Sequence, residues 1–271
     1  MFLKSLAVLS LSAVCCALSA SASTVTVTSS TGLFTNPAPA NASSGAAYNT
    51  WYANNVRSGG AVGITTLHPD SGNGSIQFVG TANSNSKADY EYYFAPGTSF
   101  LLSELTAFSY DVYRGSSSTA SAKYEPALRL YVSDGAGHAG YLVYEGVYNN
   151  QPAPIDAFQN VDVLSKYIWS TGTLPDAASN YTRTAADWVN LLPNLRVYGL
   201  SAGIGSGWDG TFDGAVDNIT YGTRTGGTTT FNFETSAVTP VAVTPEPTTF
   251  VMVGSGLAAM SGMVRRRMRK A

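Results

Sequence analysis

Phe108-Ser109-Tyr110-Asp111-Val112-Tyr113 sets Phe108, Tyr110 and Val112 on one side of an extended chain and Ser109, Asp111 and Tyr113 on the other. That period of two is the mark of a half-buried β-strand. The same alternation recurs on either side of it. Upstream, residues 88–94 place Tyr90, Tyr92 and Phe94 on one face. Downstream, Leu128, Leu130 and Val132 alternate with Arg129, Tyr131 and Ser133, and the period returns at 195–198 and 211–221. Residues 24–27 and 229–233 read as terminal strands. Turn chemistry divides these runs: Asp70-Ser71-Gly72-Asn73-Gly74, Ala95-Pro96-Gly97, Asp134-Gly135-Ala136-Gly137 and the Gly-rich stretch 203–210. A string of short strands of this kind predicts an all-β, two-sheet β-sandwich over residues 23–235.

One short helix is expected within it. Thr184 can cap residues 185–192, Asp187 suits the positive N-terminal end, and Pro193 stops the helix. Trp188, Leu191 and Leu192 would form its buried face.

The ends of the chain differ from its middle. Lys4, an apolar run over 5–18 and the small residues Ala20-Ser21-Ala22 read as a signal peptide, residues 1–22, cut after Ala22. Cys15 and Cys16, the chain's two cysteines, both fall inside it, so the mature chain has no disulfide and no thiolate site. Residues 236–244 are Pro- and Thr-rich and read as a linker. Beyond them, residues 248–264 are uncharged and would span about 25 Å as a helix, a marginal transmembrane segment. Arg265, Arg266, Arg267, Arg269 and Lys270 follow and would stop on the cytoplasmic side, leaving the rest outside the inner membrane.

Of 15 Lys and Arg residues in the 271, those five and Lys4 lie at the ends, leaving nine against sixteen acids before Glu246. No basic stripe with interleaved aromatics exists, which excludes a nucleic-acid partner.

Two resemblances follow. Thr244-Pro245-Glu246-Pro247-Thr248, then a Gly-rich apolar segment, then an arginine run at the C-terminus, resembles the PEP-CTERM sorting signal, here residues 245–271. It implies that Pro245, Glu246 and Pro247 are read by an exosortase, with passage through the inner membrane, cleavage near this motif, and release or attachment at the cell surface. The order of 74–78, 105–113, 126–130, 186–188 and 205–218 resembles the jelly-roll domains found in such proteins, with a concanavalin- or carbohydrate-module-like shape. Residues 212–220, containing Val216-Asp217-Asn218-Ile219, look like the strand that closes these modules. There the aspartate helps hold the chain or a calcium ion.

Catalytic patterns are scarce. His68 and His138 stand alone in turn-like stretches and read as solvated loop histidines, and no G-x-S-x-G elbow lies in the domain. Asp209, Asp213 and Asp217 recur every fourth residue, and on a strand Asp213 and Asp217 share a face. Structural hydrogen bonding, a calcium site and a carboxylate pair for glycoside chemistry are the alternatives for them. No other cofactor is called for. Trp51, Tyr52, Tyr141, Tyr144, Tyr148, Trp169 and Trp208 are candidates for a sugar platform or for core packing, and Trp208, in its Gly-rich loop, is the one expected to be exposed. The reading is an exported, non-enzymatic surface or matrix protein whose partners are signal peptidase, an exosortase and extracellular polysaccharide. A polysaccharide hydrolase or lyase on the same sandwich is the alternative.

Overall fold

A computed structural model describes residues 21–29, 32–35, 47–57 and 59–235 of the chain. The expected linker, the Pro245-Glu246-Pro247 motif, the expected tail helix and the arginines after it lie outside the described residues, as does the expected signal peptide up to residue 20. Among the described residues, no helix is long and apolar enough to cross a membrane.

Among the described residues, fourteen strands form two sheets, named in chain order. The first sheet is built around β13 (Phe212–Thr223), a twelve-residue strand. On one side it pairs along its length with β7 (Leu105–Arg114), which carries β10 (Gln159–Asp162). Its other side is shared. The first half of β13 pairs with β4 (Ser75–Gly80), which carries β3 (Gly60–Thr65). The second half pairs with β14 (Gly227–Glu234), which carries β1 (Ala22–Thr28) in a parallel pairing. The change of partner falls where the register with β7 slips between Asp217 and Thr220 and Asn218 adopts a left-handed φ of 49°. A bulge of this kind bends the strand and re-aims its side chains. The expected cut after Ala22 falls one residue into β1.

The second sheet runs β11 (Ile168–Ser170), β9 (Ala139–Tyr144), β8 (Ala127–Ser133), β12 (Arg196–Ile204), β5 (Ala88–Tyr93) and β2 (Trp51–Asn54). The two-residue β6 (Phe100–Leu101) pairs with the start of β12. All its pairings are antiparallel.

The alternation in the sequence translates directly into the core. Tyr110 and Val112 of β7 and Leu128, Leu130 and Val132 of β8 are buried between the sheets with Phe78, Val216, Phe233 and Leu200. Trp51 and Tyr144, two of the candidate platform residues, belong to this core. Trp51 stacks on Tyr90 and meets Phe231 and Phe233 edge-on.

The expected helix is α1 (Ala185–Leu191). Thr184 caps it reciprocally: its hydroxyl accepts from the Asp187 amide (3.3 Å), and the Asp187 carboxylate accepts from the Thr184 amide (2.8 Å). Trp188 is completely buried, and its indole donates to the Ile168 carbonyl (3.0 Å), locking α1 to β11. Leu191 was expected on the buried face but is 43% exposed, because the turn is only half covered and Val189 and Leu192 fill the flanks of Trp188 instead.

Candidate functional site

The face of the second sheet that points away from the core carries three cross-strand rows. In the first, Asn54, Asp89, Gly203 and Ala127 are neighbours, and Glu145, just past the partner of Leu128, continues the row. The second runs Tyr52, Glu91, Ser201, Arg129, Val143 and Trp169. The third is Tyr93, Gly199, Tyr131 and Tyr141. Within these rows the central strand β12 contributes Gly199, Ser201 and Gly203, a strip of small residues between larger ones. Gly203 has to be glycine on packing grounds: a Cβ there would overlap the Asp89 carboxylate and crowd the Arg129 guanidinium.

The trough so formed deepens into a cleft of about 350 Å³ at the end nearest the loop 205–208. Its floor is charged. Arg129 Nη1 lies 2.5 Å from Asp89 Oδ1 and 3.4 Å from the Ser201 hydroxyl. Lys87 Nζ is 3.3 Å from the other Asp89 oxygen, which also accepts from the Asn55 amide (2.9 Å). Asp89 and Arg129 are buried even though they point away from the core, because the walls rise above them. Burial opposes the Arg129 charge, but Asp89, then Glu145 and Glu91, hold its proton more firmly than water does. Burial lowers Lys87, partly offset by Asp89. Beside this floor, Glu91 accepts from Asn54 (2.5 Å), Tyr93 (3.1 Å) and Tyr141 (2.9 Å), and burial, then the Asp89 charge, raises its pKa.

The walls are aromatic. On one side Trp169 donates its indole N–H to Glu145 Oε2 (3.0 Å) and meets Tyr148 and Tyr181, which stack on each other at 4.1 Å. Tyr148 is 39% exposed. Burial raises the Glu145 pKa against the pull of Arg129 and Trp169. Opposite stands Trp208, stacked face to face on Tyr124 at 4.7 Å and edge-on to Phe212. The expectation that Trp208 is exposed is overturned. It is only 9% exposed, because the loop folds back, with the Gly207 amide on the Ser84 carbonyl (2.5 Å) and the indole laid flat on Tyr124. It still lines the cleft.

No family model matches this chain, and no curated protein matches it. Among solved structures, most of its neighbours are carbohydrate-binding modules. A family 11 carbohydrate-binding module from Clostridium thermocellum, in complex with a β-1,3-1,4-mixed-linked tetrasaccharide, is 11% identical, with a TM-score of 0.37 over 71% of this chain and 94% of that one. The family 11 module of the cellulosomal cellulase Lic26A-Cel5E of the same organism is 12% identical, with a TM-score of 0.35 over 64% and 88%. A β-1,2-glucanase from Parabacteroides distasonis is 13% identical, with a TM-score of 0.35 over 64% of this chain and 22% of that enzyme.

The aspartates singled out by their spacing are not brought together with the cleft floor. Asp213 and Asp217 do share the outer face of β13, but each is committed locally. Asp213 accepts from Gln77 (2.8 Å) and pairs with His68 Nε2 (2.8 Å). His68 is thus no solvated loop residue: it is largely buried and stacks on Tyr113 at 4.3 Å. Asp217 is fully buried and accepts three backbone amides, from Asn218 (2.7 Å), Phe233 (2.9 Å) and Ser71 (3.3 Å). Burial pushes its pKa up to about 7, against the downward pull of those amides. Asp209 is exposed in the loop. Among the described residues, no three His, Cys, Asp or Glu side chains converge to hold a metal ion. His138 bonds Asp134 within its own turn (2.6 Å).

A larger crevice, about 590 Å³, opens between β1 and β14 on one sheet and β2 and β5 on the other. Its described lining includes Trp51, Tyr90 and Phe231 and no charged side chain. The smaller cleft combines aromatic rings with fixed donors and acceptors. Specific small-molecule sites have that composition.

Proposed function

We propose that this chain is exported to the cell surface and binds polysaccharide there through the cleft on the outer face of its second sheet. The observation that supports this is the pairing of aromatic walls, Trp169, Tyr148 and Tyr181 facing Tyr124 and Trp208, with a floor of planar polar groups, Arg129, Asp89 and Glu145. A pyranose ring presents apolar C–H faces that pack on aromatic rings and a rim of hydroxyls that both donate and accept. The floor offers acceptors on Asp89 and Glu145 and donors on Arg129, Lys87 and Asn55, all pre-oriented by one another. Preorganised groups of this kind lose little entropy on binding. A glycan array probed with the purified chain tests the reading; no retention on any neutral or acidic polysaccharide would remove it.

A hydrolase would need one carboxylate of a facing pair free to act as base or nucleophile. Asp89 is engaged by Arg129, Lys87 and Asn55, and Glu145 is engaged by Trp169. That engagement favours binding over turnover.

Sorting belongs to the same proposal. The tail motif, apolar segment and arginine run support processing by an exosortase after the signal peptide is removed. Mass spectrometry of surface fractions should then find a chain that begins near Ser23 and lacks the 265–270 basic cluster. An intact Ala271 terminus on surface protein would contradict this.

A further inference from the structure

Glu125, two residues before β8, has an anomalous position. It is 2% exposed, and no side chain hydrogen-bonds to either carboxyl oxygen. The residue sits where the two cleft walls meet. Its predecessor Tyr124 carries the ring that supports Trp208 and is held from behind by Arg114 Nε on its carbonyl (3.1 Å). On the other side, the backbone of Gly146 lies directly against the carboxyl, so close that a Cβ at Gly146 would overlap Oε1. Gly146 opens the 3-10 turn Gly146–Asn149, which follows Glu145 and bears Tyr148. That turn is tied to the rest of the wall by Asn149, which donates to the Tyr167 carbonyl (3.0 Å) and accepts from the Tyr167 amide (2.8 Å).

The titratable groups facing Glu125 are Glu145 at the end of β9, Tyr144 within β9 and Tyr110 of β7. None of them can supply positive charge. Tyr110 spends its hydroxyl proton on the Pro126 carbonyl (2.8 Å).

We infer that Glu125 is a proton switch for the cleft: its neutral carboxyl lets the two walls close over it, and its ionisation drives the turn Gly146–Asn149 off the sheet and weakens ligand binding. The binding half of this inference rests on the cleft being the glycan site; the structural half does not. A carboxylate formed at this position has the Gly146 amide as its one donor, no counter-ion and a second carboxyl, Glu145, beside it. Its cheapest relief is water, and the exposed turn is the element that can move to admit it.

Burial, and secondarily the Glu145 charge, raises Glu125 from 4.5 to about 8, with the Gly146 amide offsetting only part. The proton is therefore kept by the folded chain and lost by the unfolded one between these values. Stability from this group is complete below pH 4.5 and is lost as pH rises through about 8. If ionisation requires the wall to open, the closed population falls about tenfold per pH unit above the folded value.

The test follows the full chain from pH 6 to 10 by acrylamide quenching of tryptophan fluorescence, by urea midpoint and by affinity for the strongest glycan on the array. Wild type should become more quenchable and less resistant to urea, and should bind about tenfold more weakly at pH 10 than at pH 9. Glu125→Gln, and Glu125→Met should the amide fold poorly, should lack the alkaline part of all three changes. Profiles for wild type that stay flat, or variants that fall as wild type does, would overturn the switch. An alkaline opening that depends on Glu125, with no glycan bound at any pH, would support the switch while overturning the assignment of the cleft. Glycan bound at every pH without any opening would do the reverse.

Discussion

Asp217→Ala is expected to lower the melting temperature by about 10 °C, and by the same amount in calcium and in chelator. Asp217 joins three segments that are distant in sequence: its own strand β13 through Asn218, β14 through Phe233, and the loop before β4 through Ser71. Truncation leaves three amides without acceptors at a fully buried position. Each unsatisfied group costs about 1–3 kcal/mol, and the mutation should fall near the upper end of single substitutions, about 3–5 kcal/mol. For a domain of this length, 1 kcal/mol corresponds to roughly 2–4 °C. A differential scanning experiment in both buffers separates the alternatives left open by the spacing of Asp209, Asp213 and Asp217. A ligand held only by the folded state would raise the wild-type midpoint by mass action and lose that increment in the mutant. Equal losses leave the carboxylate as a clasp for backbone.

Arg129→Met should be of similar size and should in addition abolish glycan binding. The side chains are close in length, so the change isolates the charge. Asp89, 2% exposed, would keep only Lys87 and Asn55, and Glu91 and Glu145 would lose the cation that steadies them. Removing one member of a buried pair typically costs about 3–5 kcal/mol because the other is stranded. Asp89→Asn in the Arg129→Met background should therefore recover part of the loss. A double-mutant cycle by urea denaturation reads that coupling directly. Strict additivity would show that the pair contributes nothing to holding the floor.

The strands, their inward faces and the helix cap were legible in the sequence because each depends on neighbours within a few residues. Tyr110, Leu128 and Leu130 are buried as their alternation requires, and Thr184 caps α1 with Asp187 as its spacing requires. The cleft was only half legible. Trp169, Tyr141 and Tyr148 stood out as aromatics, yet what makes them a wall is the order β11-β9-β8-β12-β5, which no local pattern encodes. That order aligns Asp89 with Gly203 and Arg129 with Ser201. A signal for the floor did exist: Asp89, Glu91 and Arg129 are charges on strand faces in a domain with few charges. Trp208 departs from its local pattern for the same reason. A glycine-rich loop reads as open to solvent, but its tryptophan found Tyr124, far away in the sequence, to lie upon. His68 likewise looked solvated until Asp213 and Tyr113 were brought to it across the first sheet.

The central claim is that the aromatic wall and charged floor of the second sheet hold a polysaccharide. Isothermal titration of the strongest array glycan into wild type and Trp169→Ala tests it most directly. Trp169 is half-buried at the rim, so its loss should leave the fold and the melting temperature nearly intact while removing the stacking surface. The account predicts binding to wild type that is weakened about tenfold or more in the variant, equivalent to about 1.4 kcal/mol. Undiminished affinity in a folded Trp169→Ala protein would contradict it.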